Sequence, residues 1–134
     1  MRPLPVTDTR CDPAKLALWE RPLIAPAQAA ELTVLFKILA GDTRLRLLHA
    51  LVRAEELCVS ELAAAVGMTP QAVSNQLGRL VDRRILACRR EGNNVYYRII
   101  DPCVTSLLDL GLCLIEEARR PATTATTEAT KEPV

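Results

Sequence analysis

The feature that most restricts this chain is the short stretch "VGMTPQAV", residues 66–73. Gly67 tolerates the left-handed conformation that ends a helix, and Thr69-Pro70 is a helix start, with Thr as N-cap and Pro at the first helical position. One helix over about 59–66 therefore stops at Gly67 and another opens at Pro70. Val73, Leu77, Leu80 and Val81 give the second helix an apolar face. Two strand-like runs follow, "ILACRR" and "VYYRII", flanking "EGNN", whose Gly and Asn tolerate positive φ. Helix, glycine turn, Thr-Pro cap, helix and hairpin, in that order, spell a winged helix-turn-helix.

The rest of the chain fits a mainly α fold with a small β-hairpin. Apolar residues are 49% of 134 and aromatics only 3%, so the core is aliphatic and built from helices packed on each other. Leu32, Leu35, Phe36 and Leu39 predict a first helix near 26–40. Asp42 caps a second, with Leu45, Leu48 and Val52 inward, and Asp101-Pro102 opens a last helix to about Arg120. On that helix Val104, Leu107, Leu108, Leu112 and Ile115 lie mostly on one side. Residues 1–25 read as an irregular arm with a short helix at Pro13–Glu20, residues 26–120 as the folded domain and 121–134 as a disordered tail. No apolar run reaches the ~18 residues of a membrane span, and Asp8, Arg10 and Asp12 interrupt any signal-peptide core. A cytoplasmic location follows, where five cysteines do not form a disulfide framework.

Net charge is +1, but residues 44–98 hold nine arginines against five acids. The second helix of the pair has the size to enter a major groove about 12 Å wide. Gln71, Ser74, Asn75 and Gln76 occupy its polar side and can bond bases or phosphates. Arg79, Arg84 and Arg90 are placed to neutralise phosphates, and Asn93 and Asn94 at the hairpin tip to reach a neighbouring minor groove. Solvation alone explains a polar helix face, but not its agreement with turn, cap and wing.

The segments "LFKILAGDTRLRLLHAL", "ELCVSELAAAVGMTPQAVSNQLGRLVDRRILACRREGNNVYYRI" and "DPCVTSLLDLGL" resemble the ArsR/SmtB family of bacterial metal-sensing repressors over about residues 27–120. The resemblance implies a homodimer through the first and last helices. It also implies repression of a metal-resistance operon and release from operator DNA when metal binds. Two-fold symmetry would set two reading helices one DNA turn apart on a palindrome. Gln76 stands where the family often has His.

The cysteines carry the sensing chemistry. Cys58 takes the N-cap position in "CVSEL", with Glu61 three residues on as in a capping box. The positive end of the helix favours the thiolate, the form that binds soft metals. "ELCVS" is similar to the "ELCVC" motif of the cadmium- and lead-sensing members, Cys58 matching its first cysteine and Ser60 replacing the second. Cys11 fits the arm cysteine of the thiol-sensing branch, and Cys103 the His of the Asp-x-His motif of the zinc and nickel members, with Asp101 as its Asp. Cys113 is one residue out of phase with that group's later His. Cys103 and Cys113 stand ~15 Å apart along one helix, so they share a metal only across antiparallel partner helices. Cys88, mid-strand in "ILACRR", reads as a core or neutral residue. With one His and five Cys, mercury, cadmium, lead or arsenite suit the ligand set better than zinc.

The sequence thus describes a repressor that binds operator DNA as a dimer and releases it when a soft metal or metalloid binds thiolates. Two alternatives keep the fold: a thiol redox or persulfide sensor, and a winged helix that binds protein rather than DNA. An enzyme is not indicated, because His49 is the sole candidate base for a thiol nucleophile and no phosphate loop or carboxylate pair is present.

Overall fold

The computed structural model describes residue 12 and residues 14–120. After a single 3-10 turn, Leu18–Glu20, come α1 (Pro26–Leu39), α2 (Asp42–Ala54), β1 (Leu57–Cys58), α3 (Val59–Val66), α4 (Pro70–Asp82), β2 (Leu86–Glu91), β3 (Asn94–Ile99) and α5 (Pro102–Ala118). The helix expected over Pro13–Glu20 is therefore only that turn. Cys11 and residues 121–134 lie outside the described residues.

The caps explain the boundaries. α3 ends at Gly67 with φ 71°, and the Met68 N–H returns to the Ala63 carbonyl at 3.0 Å, closing the left-handed C-terminal motif. α4 opens where the Thr69 hydroxyl accepts the Ala72 N–H at 3.2 Å. α5 opens where the Asp101 carboxylate accepts the Cys103 N–H at 2.9 Å. The start of α2 corrects the sequence reading by one residue. Gly41 is the N-cap and Asp42 the first helical residue, its carboxylate accepting the Thr43 N–H at 2.8 Å.

The sheet has three antiparallel strands in the order β1-β3-β2. β2 and β3 form the wing, turning through Gly92 (φ 66°) and Asn93, with Glu91 opposite Asn94. β1 is unforeseen. It sets Leu57 opposite Tyr97 and Cys58 opposite Tyr96, so the wing begins its pairing at the foot of α3.

One aliphatic core joins these elements. Leu47, Leu48, Leu51, Leu62, Val73, Leu77, Leu80 and Leu86 are fully buried, each worth roughly 1.5–3 kcal/mol of apolar burial. Leu45 and Val52, expected inward, are exposed instead. The 3.6-residue period turns Leu47 and Leu51 to the core in their place, beside Leu48, which is buried as expected. Cys88, read as core or neutral, is exposed on β2 and so takes no part in the core. α1 buries only Ile38 and Leu39, and α5 only Val104. Phe36, Leu112 and Ile115 stay 46–49% exposed around an apolar hollow of about 520 Å³ between α1, α2 and α5. No helix among the described residues is long and apolar enough to cross a membrane.

Candidate nucleic-acid interface

α4 carries its buried face on Val73, Leu77 and Leu80 and so turns Gln71, Asn75 and Arg79 outward. α3 and β2 both pack against α4, and Val73, Leu77 and Leu80 belong to the one core cluster. On the outer face the Gln71 amide donates to the Asn75 carbonyl oxygen at 3.1 Å, one helical turn apart. Ser74 is half-buried beside them. Arg84 follows α4 in the left-handed region, φ 62°, and is exposed. Arg90, Asn93 and Asn94 are exposed on the wing, Asn93 at the turn and Asn94 as the first residue of β3. The structure thus brings the α4 residues onto one helix and Arg90, Asn93 and Asn94 onto one hairpin, with Arg84 on the connection between.

Two polar networks of this region escaped the sequence. The Arg89 guanidinium donates to both Glu56 oxygens at 2.9 Å and to Glu91 at 2.8 Å, and stacks over Tyr96 at 4.6 Å from the ring centroid. Arg89 holds the Glu56 carboxyl below the usual carboxylate range, through that hydrogen bond first. The arrangement ties the wing to the turn before β1. Gln76 is the second case. Its side-chain oxygen accepts from Arg44 Nη1 at 2.8 Å, and Arg44 Nε donates to the Ile38 carbonyl at 2.6 Å. Sequence separations of 33 and 32 residues leave no local signal for either.

The cysteines divide by environment. Cys58 is buried at 6% exposure, caps α3 with its backbone N–H donating to Glu61 at 2.9 Å, and has its sulfur 3.3 Å from the Ser60 hydroxyl. Cys113 is exposed on α5. Cys103 is half-buried in the first turn of α5 and is disulfide-bonded, so the free thiols among the described residues are Cys58, Cys88 and Cys113. Among the described residues no three His, Cys, Asp or Glu side chains come together as a metal site.

A helix pair with an exposed polar second helix, flanked by a basic hairpin, defines a winged helix-turn-helix protein. Residues 41–87 match the model of the bacterial regulatory protein, arsR family. The crystal structure of the AntR antimony-specific transcriptional repressor superposes with a TM-score of 0.70 and 66% identity, covering 81% of this chain and 97% of that one. The transcriptional repressor SmtB homolog of Synechocystis is 46% identical over 80 residues, 60% of each chain. A probable mercury resistance operon repressor of Streptomyces lividans is 35% identical over 99 residues, 74% of this chain and 76% of its own. The chain belongs to the ArsR family, a family of DNA-binding transcriptional regulators and not of enzymes.

Proposed function

We propose that the protein is a homodimeric repressor that binds operator DNA through α4 and the wing and leaves it when a soft metalloid or metal binds cysteine thiolates. The exposed polar face of α4, held between a buried leucine face and an Arg-bearing hairpin, is the observation that carries the DNA reading. Gln71, Ser74, Asn75 and Gln76 face the bases, and Arg79, Arg84, Arg90, Asn93 and Asn94 the backbone and the adjacent groove. The uncovered apolar faces of α1 and α5 support the dimer: Leu32, Phe36, Leu110, Leu112, Leu114 and Ile115 are 42–71% exposed. A winged helix that binds only protein has no comparable use for the basic residues around α4.

The inducer is a trivalent metalloid, antimonite or arsenite. The 66% identity to an antimony-specific repressor supports this most strongly, and other relatives are named for arsenic, cadmium and mercury resistance. Thiolates among Cys11, Cys103 and Cys113 supply the donors. Cys113 is open to solvent, and helix geometry brings it to Cys103 only across a partner helix. Cys58, closed in the core, joins only if α3 loosens from β3. A coupling of about 1–3 kcal/mol would weaken DNA binding 5–150-fold.

The disulfide at Cys103 favours a second reading, release by thiol oxidation or persulfide. One titration separates them. Reduced protein on duplex from its own upstream region is followed by fluorescence anisotropy under antimonite, arsenite, mercury, cadmium, lead, zinc and, separately, peroxide or polysulfide. Release by antimonite or arsenite, abolished in Cys113→Ser, supports the metalloid site. Release by oxidant alone, reversed by reductant, replaces it with redox sensing. No binding to any duplex removes the repressor reading itself.

A further inference from the structure

We propose that Arg44 is a positioning residue for DNA reading: it holds Gln76 so that the side-chain NH2, a pure donor, is what α4 offers at this position. This rests on the DNA-binding reading above. The guanidinium has five donors and no acceptor, so only the amide oxygen of Gln76 can face it. That chemistry fixes which end of the amide turns away. No fully buried side-chain nitrogen or oxygen among the described residues lacks a partner, and Gln76 Nε2 has none among them, so this nitrogen is not sealed inside the fold.

Arg44 is itself held. Its Nε caps the α1 carbonyl of Ile38, one of the C-terminal carbonyls a helix leaves open. Its guanidinium lies so close to Gly41 that a Cβ there would come within 2.8 Å of Nη2 and 2.9 Å of Cζ. Gly41 has φ −156°, extended backbone that any residue adopts. The missing side chain at Gly41 therefore serves the passage of Arg44 and not the backbone.

Glutamine normally reads adenine with oxygen and nitrogen together. With one of the two lone pairs of its oxygen taken by Arg44 and a positive guanidinium beside it, Gln76 is disfavoured as an oxygen-and-nitrogen reader of adenine. Its NH2 fits an acceptor instead: a purine N7, guanine O6 or thymine O4, or a phosphate oxygen. Arg44 directs two of its donors, Nε and Nη1, to partners within the fold.

The test measures affinity of full-length variants for duplex from the protein's own upstream region, with thermal midpoints alongside. Gln76→Met should weaken binding by about fivefold, the low end for one base contact. Arg44→Met should weaken it similarly, and the double variant no further than Gln76→Met alone. Gly41→Ala, which displaces the guanidinium without changing charge, should reproduce the Arg44→Met loss. Gln76→Glu keeps an acceptor for Arg44 and removes both donors, so it should stay folded and lose affinity. Selection from randomised duplexes separates the two kinds of acceptor. A base acceptor gives Gln76→Met a relaxed preference at one position. A phosphate acceptor leaves the preference intact and lowers affinity uniformly. Additive losses in the double variant, or wild-type affinity in Gln76→Glu, would overturn the proposal while leaving the repressor reading standing. A wild-type protein that bound no duplex would bring down both.

Discussion

Adding one methyl group at two glycines of the helix pair should change stability in opposite directions. Gly67 ends α3 at φ 71°, ψ 39°, and a Cβ built there meets nothing within 4 Å. The cost of Gly67→Ala is therefore conformational alone. The left-handed region costs an L-residue about 1–2 kcal/mol, and the stiffer unfolded chain returns about 0.4–1 kcal/mol. The net is a loss of about 1 kcal/mol, or roughly 4–8 °C in midpoint for a domain of this size. Gly78 lies inside α4, without positive φ, and also has open space around its Cβ. Gly78→Ala should gain about 0.8–1 kcal/mol from helix propensity. Urea unfolding followed by far-UV circular dichroism, at one fixed protein concentration because dimerisation adds to stability, reads both. The slope should stay constant and the midpoints move apart. Equal midpoints for Gly67→Ala and wild type would refute the assignment of a left-handed cap. A loss above about 3 kcal/mol would show hidden crowding, because the conformational cost does not reach that far.

Arg84 is a non-glycine residue at φ 62°, so Arg84→Gly should raise stability by up to about 1 kcal/mol. It should also lower the slope of log affinity against log salt by about 1, the mark of a lost phosphate contact. Thr69→Ala removes the cap of α4 and should cost about 1 kcal/mol in the same urea assay. The Glu56 carboxyl is held below its ordinary value of 4.5 by Arg89. Its contribution is therefore complete above that pH and lost as pH falls through the lowered value. Glu56→Gln should flatten the acid side of the stability profile, and salt should weaken the wild-type effect.

What was legible follows the range of the interaction. The caps at Gly67, Thr69 and Asp101 act within a few residues, and each lies where its residue type demanded. The hairpin turn was equally local. Contacts set by the three-dimensional path were not legible. β1 is two residues long and has no periodicity to read; its existence depends on β3 arriving from nearly forty residues downstream. Arg89 and Arg44 counted only among the nine arginines of residues 44–98, but each has a specific partner far along the chain, Glu56 and Gln76. Leu45 and Val52 failed for a different reason. Apolar character alone does not separate a core face from a face that awaits a second surface. Cys58 was correctly set at the start of α3, yet its burial against β3 depends on a strand that the sequence did not announce.

The two-residue strand β1 has a mechanical consequence. A wing anchored only through its own hairpin would swing on the connection after α4. Here the chain entering α3 is laced to β3, so the helix pair and the wing share a backbone seam as well as the connection after α4. In the proposed dimer each subunit would meet DNA as one stiff calliper jaw. Whatever shifts α1 or α5 would change the gap between jaws and not the shape of either, and amide exchange in β3 should slow or quicken together with that in α3.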